Sequence, residues 1–380
     1  MADSRESNLR DRHSRIERYL LAVSQGLPGP LPMLLRGVSA ALAPLYCGGL
    51  ELYLLPYHLG LRKRRRLPCP VLCVGNLTTG GTGKTPMTQT LCRLLRAEGK
   101  RVVVLSRGYG GANEYDCAVV SDGERVLLNA HDAGDEAFLL ASTLPGVPVV
   151  VGKDRRVTGA LAWERFQPDV IVLDDGMQFW QLHRDLDIVL LNACAPFDNG
   201  WTFPRGLLRE PPSHLRRAGI IVLTNAQRAG NAQVAEVQRQ AAKLAPGCPV
   251  FTADLVPTGL RELTGKMNCP PAWMQGRKIA ALSALGNPAS FEAMLETLGA
   301  SLTDCYRFRD HQTISTEALT RVCREAQAAG AEAILTTEKD AVKLNPDAAT
   351  LPLFALQVDM QIAGEAELWD VVKTQMRLSS

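Results

Sequence analysis

The sequence predicts an α/β fold, a mainly parallel sheet with helices on both faces. Two observations carry that prediction. Nine short apolar, β-branched runs recur from Pro70 onward: PVLCVG, RVVVLSRG, VPVVVG, DVIVLDDG, LDIVLLNA, GIIVLTNA, KIAALSAL, AILTTEKD and LPLFALQV. Helical stretches such as MTQTLCRLLRAEG and VAEVQRQAAKLA separate most of them. Unbroken apolar runs alternating with helices are the pattern of strands buried on both faces of a parallel sheet. Second, polar residues gather where these runs end: Asn76, Ser106, Arg107, Asp174, Asp175, Asn192, Asn225 and Thr337 through Asp340. The carboxyl ends of parallel strands are where such sheets bind ligands.

The first 68 residues stand apart from this pattern. The N-terminal eighteen are charged throughout and carry no apolar core before a small-residue cleavage site, so no secretory signal is expected. PMLLRGVSAALAPLYCGGLELYLLPYHLGL is apolar but interrupted by Arg36, Pro44, Glu51, Pro56 and His58. Those breaks predict a broken pair of helices that lies on a bilayer or packs on the protein's own core, rather than one spanning helix. Arg62-Lys63-Arg64-Arg65-Arg66 follows directly. Anionic lipid attracts such clusters by about 1 kcal/mol per basic residue, so the pairing reads as a peripheral membrane contact.

The remaining composition is restrictive. With 42 basic against 39 acidic residues, the chain as a whole has no nucleic-acid-binding charge, and no nucleic-acid partner is expected. Its ten cysteines form no CxxC pair and have no histidines at zinc-finger spacing, which predicts reduced, small apolar side chains. The predicted organisation is an N-terminal helical, membrane-docking segment (1–68), a nucleotide-binding core (69–276) and a smaller C-terminal α/β lobe (277–380). The last boundary follows the Gly/Pro/Asn-rich segment 257–276.

Residues 78–85 read TTGGTGKT, between the strand-like PVLCVGN and the helix-like TPMTQTLCRLLRAEG. Strand, glycine-rich turn and helix in that order define a P-loop. Backbone N–H groups of Thr79, Gly80, Gly81, Thr82 and Gly83 would face phosphate, and the helix N-terminus adds about half a positive charge. Lys84 would reach the β- and γ-phosphates, and Thr85 would offer its hydroxyl to Mg²⁺. Thr78 replaces the first glycine of GxxxxGK[ST], which brings the loop closer to variants that begin with a glycine pair. An acid near the metal is supplied by IVLDDG: Asp174 and Asp175 end a buried strand, where a carboxylate is costly unless paired or metal-bound.

Three further stretches are too polar for ordinary connections: SRGYGG (106–111), GDE (134–136) and NGWTFPRGLLREP (199–211). Arg107 suits a phosphate contact. The third joins aromatics, arginines and glycines, as a sugar- or lipid-facing loop does. Taken in chain order with VGNLTTGGTGKTP (74–86), DDGMQFWQLHRDLDI (174–188), ALSALGNPASF (281–291), FRDHQTI (308–314) and TTEKDAVKL (336–344), they resemble the tetraacyldisaccharide 4′-kinase family over roughly residues 30 to 365.

The resemblance implies a fold like the P-loop nucleoside-triphosphate hydrolases, in two lobes. It implies transfer of the γ-phosphate of ATP, with Mg²⁺, to the 4′-hydroxyl of tetraacyldisaccharide 1-phosphate. That step belongs to lipid A (lipopolysaccharide) biosynthesis, at the cytoplasmic face of the bacterial inner membrane. Asp135 with His311 would form the base that activates the hydroxyl, and Asp174 would be the metal acid beside Thr85. Arg107, Asp174, Asp175, Gln178, Arg205 and Arg209 would face the lipid substrate, and Glu338, Lys339 and Asp340 the nucleotide. No obligatory protein partner is implied. Gln312 stands where the family often has a second histidine, and Met177 where it often has phenylalanine. Two other readings use the same loop: a P-loop GTPase or metallochaperone in which TTEKD reads guanine, and a membrane adaptor switched by nucleotide.

Overall fold

The computed structural model describes residues 19–309 and 312–378. In chain order its strands are β1 (Val71–Asn76), β2 (Val102–Ser106), β3 (Ala118–Ser121), β4 (Val149–Val151), β5 (Val170–Asp174), β6 (Leu186–Asn192) and β7 (Ile220–Thr224). They continue as β8 (Val250–Glu262), β9 (Asn268–Cys269), β10 (Lys278–Ser283), β11 (Ser301–Arg307), β12 (Ala333–Thr337) and β13 (Leu353–Ala363). All join one sheet in the order β11-β10-β12-β13-β8-β7-β6-β1-β5-β2-β4-β3, with β9 paired to β8. Pairing is parallel except at β3/β4, β8/β9 and β8/β13.

Each of the nine apolar runs forms a strand, and β1, β2, β5 and β7 are buried along their whole length. Strands that bury both faces need no polar alternation, which is why they read as unbroken Val/Ile/Leu. Helix α1 (Pro30–His58) precedes the sheet; α2 (Lys84–Ala97) follows β1, α3 (Asp135–Thr143) precedes β4, and α4 (Arg155–Phe166) follows it. The C-terminal helix Glu365–Met376 returns to the P-loop half, where Leu368, Trp369, Val372 and Met376 share a core with Val74, Met87 and Leu91.

One expectation is corrected. The apolar N-terminal stretch is one continuous helix rather than a broken pair, although Pro44 and Pro56 lie inside it. Pro44 removes only the hydrogen bond to the carbonyl four residues back, at Ala40. The helix is held from outside: Ala43, Leu54 and Tyr57 recur on one buried face, Leu54 and Tyr57 pack with Trp180, and the Tyr46 hydroxyl donates to the Arg209 carbonyl at 2.8 Å. Part of the Gly/Pro/Asn-rich segment 257–276 is strand. β8 runs through Pro257 to Glu262 and pairs antiparallel with β13. Pro257 lies opposite Val358, where the register shifts, a place in a ladder that tolerates a missing N–H.

Candidate active site

The P-loop lies between β1 and α2. Gly83 is the N-cap of α2 in a left-handed conformation (φ 84°), which only glycine adopts freely. Gly80 and Gly81 are exposed with open space around them. The entry to the loop is fastened by the PRGLLREP segment: the Thr79 N–H donates to the Leu207 carbonyl (2.8 Å) and the Arg209 N–H to the Leu77 carbonyl (2.7 Å). Inside, the Asn76 amide donates to the Thr82 hydroxyl at 2.8 Å. Lys84 and Thr85 open α2, and Lys84 Nζ lies 3.8 Å from Asp175 Oδ2.

Asp174 ends β5, buried, and accepts a hydrogen bond from Thr88 one turn along α2 at 3.1 Å. Burial, then the nearby Glu136 and Asp175, push its carboxyl up to about 7. Burial works the same way on Asp175, but Lys84 and Arg209 outweigh it and hold that carboxyl below its usual range. Arg209 is bidentate to Asp175 (3.1 and 2.9 Å) and also donates to the Asn76 side chain. The adjacent aspartates thus have separate settings: Asp175 is neutralised by cations, whereas Asp174 sits among carboxylates.

Facing them is the start of α3. Gly134 and Gly111 let the GDE and SRGYGG loops interlock, since a Cβ on Gly111 would lie 2.5 Å from the Gly134 nitrogen. Asp135 Oδ2 is 3.1 Å from Lys343 Nζ and Glu136 Oε1 is 3.2 Å from Lys339 Nζ. The GDE carboxylates therefore meet the TTEKDAVKL segment.

Several expected residues hold other positions. Arg205 does not face this cluster: its guanidinium donates to the Ser24 carbonyl at 2.9 Å, tying the 199–211 loop to the N-terminal segment. Asp340 is fully buried, accepts from the Ala284 N–H (2.9 Å) and the Thr337 hydroxyl (2.8 Å), and shapes its loop from within. Glu338 turns toward β13, accepting from the Val358 N–H at 3.4 Å. Arg107 pairs with Glu114 at 2.6 Å at the rim. Gln178 donates to the Asn76 carbonyl and to Glu210 (3.0 and 3.1 Å), while its Oε1 is buried without a partner. His311 lies outside the described residues.

Two functional groups escaped the sequence reading. Arg155, buried at the start of α4, lies near Asp174 and Asp175, and its Nε has no hydrogen-bond partner. GKDRR after β4 carried a signal for it, as a basic residue at the end of a buried strand. The other is a buried cluster around Glu210, whose carboxylate meets His214 Nδ1 and Arg217 Nη2, each at 2.6 Å. His214 Nε2 reaches Glu51 of α1 at 2.7 Å, and Arg217 stacks over Trp180. Burial opposes its charge, but His214 and Arg217 hold the Glu210 carboxyl below its ordinary range. Its stabilisation is therefore present above the ordinary Glu value and is lost as pH falls through the lower folded one. Glu210→Leu strands two buried donors and should cost about 3–5 kcal/mol in a urea titration. A loss under about 1 kcal/mol would mean the cluster is not a structural anchor.

Comparison with known proteins decides the family. A family model described as tetraacyldisaccharide-1-P 4′-kinase matches residues 36–377. The chain belongs to this family. The tetraacyldisaccharide 4′-kinase of Geobacter metallireducens is 42% identical over 83% of this chain and 90% of its own length. That of Pelobacter propionicus is 39% identical over 96% and 99%. Among solved structures, the "apo" form LpxK from Aquifex aeolicus in complex with ATP aligns with a TM-score of 0.74 at 31% identity, covering 90% of this chain and 99% of that one. The mainly parallel P-loop fold, the kinase class and the lipid A precursor as substrate class follow from membership in the 4′-kinase family.

Proposed function

We propose that this kinase transfers the γ-phosphate of ATP, with Mg²⁺, to the 4′-hydroxyl of tetraacyldisaccharide 1-phosphate at the cytoplasmic face of the inner membrane. The observation that carries this reading is the convergence of Lys84, Asp174, Asp175 and the GDE carboxylates at one end of the sheet, next to a helix whose outer face is apolar. Segment 277–380 acts as a lobe that completes the site by bringing TTEKDAVKL against α3.

In the step proposed, Asp135, working with His311, takes the proton of the 4′-hydroxyl; its oxygen bonds to the γ-phosphorus as the bond to the bridging oxygen of ADP breaks. Lys84 stabilises charge spreading over the transferred group. Lys84 and Arg209, with the more distant charge of Arg155, keep the Asp175 carboxylate ionised, and Arg209 holds it in place. For Mg²⁺, no group of three or more His, Cys, Asp or Glu is arranged to hold a metal ion by itself among the described residues. A P-loop metal needs fewer protein ligands, because phosphate and water complete its shell. The Thr85 hydroxyl and Asp174 fit that role, and the carboxylate crowding at Asp174 is the electrostatic condition a divalent cation relieves. Bound there, Mg²⁺ would offset charge on the β- and γ-phosphates.

The membrane reading rests on α1. It is long and apolar enough to cross a bilayer and little of it is buried: Leu31, Met33, Leu34, Leu45 and Leu52 are exposed. Its Glu51–His214 and Tyr46–Arg209 contacts hold one face against the protein, which favours docking along the surface. At its end Arg62, Lys63, Arg64, Arg65 and Arg156 line a cleft of about 570 Å³. Arg62 and Arg64 stack on Tyr57 and Trp180, so Lys63, Arg65 and Arg66 are the cleaner test. Changing these three to serine should weaken binding to anionic vesicles about ten-fold or more at low salt, with the difference shrinking as salt rises. Salt-insensitive binding would return them to an ordinary solvated face.

The deciding experiment follows ³²P from γ-labelled ATP into tetraacyldisaccharide 1-phosphate in mixed micelles. A labelled bisphosphorylated lipid is expected. Phosphate released to water whether or not lipid is present, or a preference for GTP, would bring a switch-type reading forward.

A further inference from the structure

Lys343 is a buried cation that the reading above gives no task. Its side chain is 4% exposed, and its ammonium lies 3.1 Å from Asp135 Oδ2 and 3.3 Å from Asp340 Oδ1. Asp340 is a fixed point: fully buried, it takes the Ala284 N–H and the Thr337 hydroxyl on Oδ2, and its backbone carbonyl accepts from the Lys343 N–H at 3.0 Å. Lys343 thus reaches from a rigid anchor in the C-terminal segment to a carboxylate at the first turn of α3. Burying an ammonium costs several kcal/mol, and an ion pair so placed is weak evidence of stabilisation. Its effect on Asp135 is the more specific one, because an ammonium at this distance favours the ionised carboxylate and attracts it through charge.

We propose that Lys343 is a positioning residue for phosphoryl transfer, holding Asp135 ionised and fixed in place from the opposite side of the site. This rests on the reading of Asp135 as the base. The other charged groups around this corner are Glu136 with its partner Lys339, Asp340 beneath Lys343, and Arg107 on the interlocked loop, itself paired with Glu114. Asp174 lies beyond Glu136. Lys339 lies 3.2 Å from Glu136, Arg107 lies 2.6 Å from Glu114, and Lys343 pairs directly with Asp135.

The test is a double-mutant cycle in the full-length enzyme with lipid acceptor, following kcat, the KM for ATP and the pH profile. Lys343→Met should lower kcat about 10- to 100-fold with the ATP KM within about two-fold, and should move the acid limb of the kcat profile to higher pH, since loss of a nearby cation raises a carboxylate's pKa. Lys343→Arg should recover part of the rate. On an Asp135→Asn background Lys343→Met should cost little more, because the group it acts through is already gone.

An undiminished loss on that background, an unmoved acid limb, or a fall in ATP affinity that accounts for the rate would each overturn the proposal and leave Lys343 as a strut. Should Lys343→Met not fold, Lys343→Met with Asp340→Asn leaves no unpaired buried charge at the anchor and takes its place in the cycle. Unchanged kcat in Asp135→Asn alone would instead overturn the base assignment, a failure that the single variant distinguishes from the others.

Discussion

Lys84→Ala is expected to lower kcat for lipid phosphorylation by at least about 10³-fold. The P-loop ammonium supplies a full positive charge where the transferred group carries spreading negative charge, and no other lysine is placed on the described loop. Asp175 keeps its bidentate Arg209 when Lys84 is removed, so the aspartate pair stays in position and the fold is not the cause of the loss. The check is single-turnover transfer of labelled phosphate at saturating ATP, beside circular dichroism of the variant. Turnover within ten-fold of wild type would mean that TTGGTGKT does not hold the transferred phosphate.

Asp135→Ala is expected to slow the chemical step by about 10²- to 10⁴-fold, the usual worth of a positioned base. Affinity for ATP should stay close to wild type, because the P-loop contacts are built from α2, β1 and the PRGLLREP backbone rather than from α3. The two quantities separate the roles: a base changes kcat, and a nucleotide ligand changes KM. A loss confined to the KM for ATP would move Asp135 out of the chemistry.

Much of this architecture was legible because the strands are buried on both faces and so keep their Val/Ile/Leu signature. Two of the strands left unread lack it. β11 is an edge strand with mostly exposed or half-buried residues, and β8 carries Pro257 and Gly259, which locally resemble a connection. Through Pro257 and Gly259, β8 is paired with β13, roughly a hundred residues away, and such distant hydrogen bonds leave no local mark. α1 shows the same limit, since Pro44 is a local break that contacts from Trp180, Arg209 and His214 override.

At the site, Lys84, Thr85, Asp174 and Asp175 follow from their places on strand and helix ends. Arg205 and Asp340 stand in equally polar motifs, yet one holds the N-terminal segment and the other fills a buried cap. Composition gives a motif's chemistry, whereas the direction of each side chain depends on tertiary partners such as Ser24 and Ala284.

The fastening of Thr79 to Leu207 and Arg209 to Leu77 bears on how the enzyme meets its nucleotide. With the loop entry closed by its own backbone, the Thr79 amide is already committed, and phosphate must be held by amides from Gly80 onward. Amide hydrogen exchange should therefore be slow at Thr79 and Arg209 before nucleotide arrives and change little afterwards, with new protection confined to 80–85. The entry of such a loop is ordered in advance, so little of the binding free energy goes into shaping it and more is left for the phosphates themselves.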